Sequence, residues 1–192
     1  MTVALASHPK VKLKVEDFDL LAENGGLAGI ARSELLDRDI YLMAPRYSCY
    51  ANAKSLFYDA LLDWSRASRP DLVVRTEASV AMPPNDEPMP DVILCTRPIG
   101  RKAIPVGSVA LLVEIADDSR ERDLGYKAEL LARQGVPEYW VADLEKQVVV
   151  RHSRPSQQGY GARHEVSFGK PLESATLAGL SVETTDLVDS RH

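Results

Sequence analysis

Apolar positions recur at helical spacing in some stretches of the chain and as compact runs or period-two alternations in others. From Asn52 to Arg66, Leu56, Ala60, Leu61 and Trp64 mark one stripe, which predicts an amphipathic helix. Between Ser119 and Gln134, Leu124, Lys127 and Leu131 fall about one turn apart, with Ser119 as cap and Gly135 as stop. A shorter helix and turn is expected from Val15 to Ala31, with Asp17 as cap and Asn24-Gly25-Gly26 as stop. Strand patterns lie between these helices. SELLDRDIYLMAP, closed by Pro45, reads as the first strand and DLVVRTEASVAM as the second. DVILC and VALLVEIAD are buried runs that should form the centre of the sheet. VPEYWVADLEKQVVVRHS gives strand, turn and strand, and YGARHEVSFG a further strand after the SQQG turn. The order predicts an α/β fold with a mixed β-sheet flanked by helices and a small antiparallel portion toward the C-terminus. An N-terminal arm over 1–14, a domain over 15–180 and a tail over 181–192 are the expected divisions.

Composition narrows the class. A chain of 192 residues with 45% hydrophobic and 27% charged residues suits one globular core rather than a disordered or fibrous chain. The net charge of −5 excludes bulk attraction to DNA, so any contact with nucleic acid must be local. Cys49 and Cys95 lie far apart with no paired Cys/His motif, which argues against a zinc site or disulfide framework and fits a reducing cytoplasm. No export signal or membrane-spanning run is expected.

Two acids interrupt the apolar runs: Asp91 opens DVILC, and Glu114 sits inside VALLVEIAD. Isolated buried carboxylates are costly unless protonated, paired or neutralised by a cation. On neighbouring strands the two would present hard oxygen ligands of the kind magnesium prefers. Each has a plainer reading alone, Asp91 as a turn cap and Glu114 as the partner of an arginine. Lys127 follows Glu114 by thirteen positions on the next helix. Its ammonium can aim at both acids and stabilise charge on a phosphoryl group; alternatively it forms a surface i,i+4 pair with Asp123.

The run PMPDVILC followed by VALLVEIADDSRERDLGYKAELLARQGVPEYWVADLEKQVVV resembles the PD-(D/E)XK nuclease superfamily, and within it the Uma-type branch of bacterial restriction-endonuclease-like proteins. The matching features are Pro90-Asp91, Glu114, Ser119, Arg122-Asp123, Lys127, Gly135 to Trp140, and Asp143. ELLDRDIYLMAP is similar to the branch's glutamate-bearing first strand. The resemblance implies a restriction-endonuclease-like fold, with Asp91, Glu114 and the Ile115 carbonyl as metal ligands, Lys127 as catalytic lysine and Glu34 as an auxiliary acid. It implies magnesium, with manganese as a substitute, and DNA cleavage to a 5′-phosphate and a 3′-hydroxyl. Two departures stand out. Ala116 occupies the superfamily's usual lysine position, and Tyr50 falls where branch members often carry a histidine.

Arg97, Arg101 and Lys102 form one basic group, and Arg151, His152, Arg154, Arg163 and His164 another, each either a phosphate contact or a solvated face. The four histidines are expected at the surface, and Tyr139 and Trp140 in the core or a dimer contact. The expectation is a magnesium-dependent endodeoxyribonuclease acting as a cytoplasmic homodimer on DNA, with no membrane partner. A catalytically silent nuclease-fold module that binds nucleic acid or protein is the alternative, and a glycosidase using paired carboxylates is a second rival.

Overall fold

A computed structural model describes residues 11–30, 32–43, 47–96 and 102–188. The expected strand end at Pro45, the basic residues Arg97 and Arg101, His8, His192 and most of the N-terminal arm lie outside the described residues.

Helix α1 spans Val15–Glu23. Asp17 lies inside it rather than at the cap, and its carboxylate accepts the backbone N–H of Lys14 at 2.9 Å. SELLDRDIYL is a hairpin, not the single strand expected: β1 (Ser33–Leu36) pairs antiparallel with β2 (Asp39–Leu42). The turn residues Asp37 and Arg38 have φ of 45° and 67°, the paired left-handed conformation whose twist suits a two-residue hairpin. Neither is glycine, so the usual turn signal is missing.

Helix α2 runs Ser48–Ser68, a turn earlier than the stripe predicts. Its buried positions Tyr50, Ala53, Phe57 and Leu61 advance by three or four residues, so one face covers the sheet. The strand expected over 71–82 divides into β3 (Leu72–Thr76) and β4 (Val80–Ala81) at Glu77, which has a positive φ. Then come β5 (Val92–Thr96), β6 (Ile104–Pro105) and β7 (Val109–Ala116). A helical crossover follows: α3 (Arg120–Arg122), a π-helical turn at Asp123–Lys127, and α4 (Ala128–Arg133). The remaining strands are β8 (Glu138–Asp143), β9 (Val148–Ser156), β10 (Gly159–Ser167), β11 (Leu172–Glu173) and β12 (Ser181–Val182).

The main sheet has six strands in the order β10-β9-β8-β7-β5-β3. Only β7 and β8 are parallel neighbours in it, as the crossover between them requires. Both are covered on two sides, which is why their sequences read as unbroken apolar runs. On one face α2 and the β11–β12 segment bury Phe57, Leu111, Val113, Trp140, Leu172 and Val182. On the other, α4 and β4 bury Val80, Ile93, Leu112, Leu131, Tyr139 and Val141. Tyr139 and Trp140 are fully buried core side chains. Antiparallel β11 and β12 form the small C-terminal sheet, and Val182 and Leu187 belong to the core. Among the described residues, no helix is long and apolar enough to cross a membrane.

Candidate active site

The antiparallel register of β5 and β7 pairs Val92 with Val113, and one further step sets Asp91 opposite Glu114. Both acids are buried at this end of the pair. Glu114 points to the face covered by the π turn, where Lys127 Nζ donates to its Oε1 at 2.8 Å. Lys127 also meets Glu34 Oε2 at 2.9 Å and Asp123 Oδ1 at 3.4 Å. The Asp123 pair, an alternative surface contact from sequence, is therefore buried, with both side chains at 3% exposure or less. Burial pulls the Lys127 pKa down, but Glu114, Glu34 and Asp123 outweigh it, so the pKa is raised and the ammonium holds its proton. Burial chiefly pushes the Glu114 carboxyl well above the ordinary range; Lys127 opposes the shift, and Asp91, Asp123 and Glu34 add to it.

Local structure explains the convergence. In the hairpin, β1 is stitched to the chain before Asp91 by reciprocal backbone bonds between Leu35 and Glu87, 3.1 and 2.8 Å long. That docking buries Glu34 completely, and the Met89 N–H donates to its Oε2 at 3.3 Å. The π turn brings Asp123 and Lys127 inward together, an irregularity common at functional sites. Tyr126 fixes its position: its hydroxyl donates to Asp86 Oδ1 at 2.7 Å, and the same oxygen accepts the Asp37 N–H at 2.8 Å. The Ser119 hydroxyl donates to Asp123 Oδ2 at 2.5 Å.

Asp91 belongs to a second, adjoining network. Its Oδ2 accepts the Ile115 N–H at 2.7 Å, while Oδ1 receives the Tyr50 hydroxyl and Arg32 Nη2, the latter at 3.2 Å. Arg32 also pairs with Glu77, as does Lys54. Because the N–H and C=O of one strand residue point to the same side, the Ile115 carbonyl faces the Asp91 edge too. Lys127 thus gathers Glu34, Glu114 and Asp123, and Asp91 stands across the strand pair without touching the lysine.

Sequence reasoning gave no role to Arg32 or Tyr50. Tyr50 was visible only as a departure from the branch pattern, and Arg32 carried no spacing signal. Among the expected phosphate contacts, Arg151 bonds the Glu173 carbonyl and Arg163 pairs with Glu165, while Arg154 and His164 are exposed. His152 is not a surface histidine: it lies buried between Tyr139 and Tyr160, with ring centroids 5.7 and 5.5 Å away. The alternating strand β9 turns it toward the α4 face.

The Uma2 family model, described as "Putative restriction endonuclease", matches residues 15–185. The chain belongs to the Uma2 family. A search of curated proteins gives no match. Among solved structures, a chain from Anabaena variabilis described as "a putative nuclease belonging to DUF820" aligns with TM-score 0.64 and 14% identity. The alignment covers 82% of this chain and 90% of that one, and at this identity it speaks for the fold alone. The Uma2 architecture is therefore a restriction-endonuclease-like mixed sheet flanked by helices, and the family's own description, "Putative restriction endonuclease", supports a nuclease.

Carboxylate oxygens of the type a hard divalent cation takes gather around Lys127. Glu34 Oε1 and Asp123 Oδ1 are buried without hydrogen-bond partners, and the carboxylates outnumber the ammonium they surround. Among the described residues there is no group of three or more His, Cys, Asp or Glu side chains placed to cage an ion. Magnesium does not demand one, since it is held by one or two carboxylates and keeps several waters.

Proposed function

We propose that this Uma2 protein is a metal-dependent endonuclease that hydrolyses DNA phosphodiester bonds. Asp91 and Glu114 would hold magnesium or manganese, with the Ile115 carbonyl as a further ligand. The observation that carries the reading is the buried Lys127 ammonium, 2.8 Å from Glu114 and 2.9 Å from Glu34, beside the strand end where Asp91 faces Glu114. When bound, the ion acidifies water and offsets charge on the phosphate.

The chain's own residues supply the rest. Lys127, kept protonated by its acids, donates to the attacking water or to a phosphate oxygen as charge develops there. Glu34 and Asp123 help hold the ammonium in place. Tyr50, Arg32 and the Ile115 N–H fix the Asp91 carboxylate. Water attacks phosphorus and the bond to the 3′ oxygen breaks, leaving a 5′-phosphate and a 3′-hydroxyl. A homodimer in the cytoplasm is part of this reading, and sedimentation of the purified chain tests the association.

The test is cleavage of plasmid and single-stranded circular DNA by the full chain. Activity should require magnesium, vanish in EDTA and return with manganese. Glu114→Gln, Asp91→Asn and Lys127→Met should each lower it by at least about a hundredfold, with folding checked by circular dichroism. One observation favours the silent module instead: both Asp91 oxygens are already occupied by protein donors. Binding without cleavage under all these conditions would establish that module, and hydrolysis of a glycoside surviving EDTA would point to the carboxylate-only rival.

A further inference from the structure

The outer edge of the site carries two side chains that the proposed chemistry does not use. In the hairpin register Tyr41 stands directly opposite Glu34. Directly paired residues of an antiparallel ladder project from the same face with neighbouring Cβ atoms. Glu34 is fully buried against Lys127, whereas Tyr41 is 39% exposed, so the pair runs from the lysine outward to solvent. Arg122 closes the same path from the crossover helix. Its guanidinium carbon lies 5.5 Å from the centre of the Tyr41 ring, and its Nε is 3.5 Å from Glu34 Oε1. At that distance Nε makes no hydrogen bond. Three observations, a strand register, a cation–π contact and an ion pair, thus place one exposed aromatic ring and one arginine beside Glu34.

We propose that Tyr41 and Arg122 form the nucleotide-facing wall of the site: an unpaired base stacks on Tyr41 while Arg122 grips the adjoining phosphate. The inference rests on the nuclease reading and narrows its substrate to DNA with an unpaired nucleotide at the mouth. A tyrosine ring offers a stacking platform that tolerates any base, and only an unstacked base can use it. The terminal nitrogens of a guanidinium match the geometry of two phosphate oxygens. Glu34 has a second function in this arrangement, orienting Arg122 through one oxygen and Lys127 through the other. The ring and the arginine therefore border Glu34 on its solvent side, with the lysine beneath.

Binding is measured in EDTA, where cleavage is suppressed, by fluorescence anisotropy of a labelled single-stranded oligonucleotide and of the blunt duplex of the same sequence. Wild type should prefer the single strand. Tyr41→Ala should weaken single-strand binding on the order of tenfold, and Tyr41→Phe, which keeps the ring, should restore it. Arg122→Gln should weaken binding and reduce the slope of log affinity against log salt by about 0.7; Arg122→Lys should recover the slope but not the full affinity. Equal wild-type affinity for both DNA forms, or unchanged single-strand affinity in Tyr41→Ala, overturns this inference and leaves the nuclease reading standing. A wild type that neither binds nor, with magnesium, cuts either form overturns both.

Discussion

At the level of single residues, the molecule buries polar groups that only their neighbours make tolerable. His152 shows the cost of one with a buried, unpartnered Nδ1. Burial, helped by the charge of Arg163, lowers its pKa from 6.5 to about 4. The folded state therefore keeps this ring neutral where the unfolded chain takes up a proton. Stability from this source is complete above about pH 6.5, falls as the pH drops, and stops falling near pH 4. Urea unfolding at pH 6.5 and pH 5 should show a loss on the order of 1 kcal/mol from this residue. His152→Phe, which keeps the stacking between Tyr139 and Tyr160, should flatten that part of the profile. Sequence placed this histidine at the surface because a lone imidazole in an alternating strand carries no mark of which face is covered. Asp91, Glu114 and Lys127 were legible for the opposite reason: two are charges set in apolar runs, and the third lies on the next helix at a spacing that permits return.

The elements show where pattern reading works and where it fails. Long, strongly periodic segments such as α2 and β7 announce themselves, because one face or both must be buried. Short elements depend on backbone conformations that no apolar period encodes. The Asp37-Arg38 turn makes a hairpin of an apparent strand, and Glu77 divides β3 from β4. The π turn is a third case, since its sequence DLGYK looks like ordinary helix. Its register is secured by Tyr126, whose hydroxyl reaches Asp86 beside the hairpin turn. Tyr126→Phe should cost about 1 kcal/mol in urea unfolding. By loosening Lys127 relative to Glu34, it should also lower the cleavage rate more than it lowers DNA affinity, a difference that single-turnover kinetics beside anisotropy would resolve.

Across the whole molecule, the C-terminal segment acts as a strap over the central sheet. The fully buried Glu138 carboxylate on β8 accepts bonds from Trp140, the Ser174 hydroxyl, the Ala175 N–H, and both the N–H and hydroxyl of Thr176. Leu172, Leu177, Leu180, Val182 and Leu187 pack under it. Burying each such side chain contributes roughly 1.5–3 kcal/mol before the entropy of ordering the segment is subtracted, and a loss of even part of that is large beside a net stability of ~5–15 kcal/mol. Truncation before Lys170 should therefore abolish cooperative unfolding. Glu138→Ala, which strands those donors, should cost about 3 kcal/mol by urea midpoint. By itself the sequence determined the fold class, the apolar runs of β5 and β7 as the centre of the sheet, and the two acids whose place in those runs demanded partners, because hydrophobic period and isolated charge are local properties of the chain. The tertiary structure alone decided that Glu34 reaches Lys127, that Arg32 and Tyr50 hold Asp91, and that Tyr41 meets Arg122. Those contacts join segments far apart in sequence, and their geometry comes from hairpin docking and a helical irregularity that leave no periodic trace.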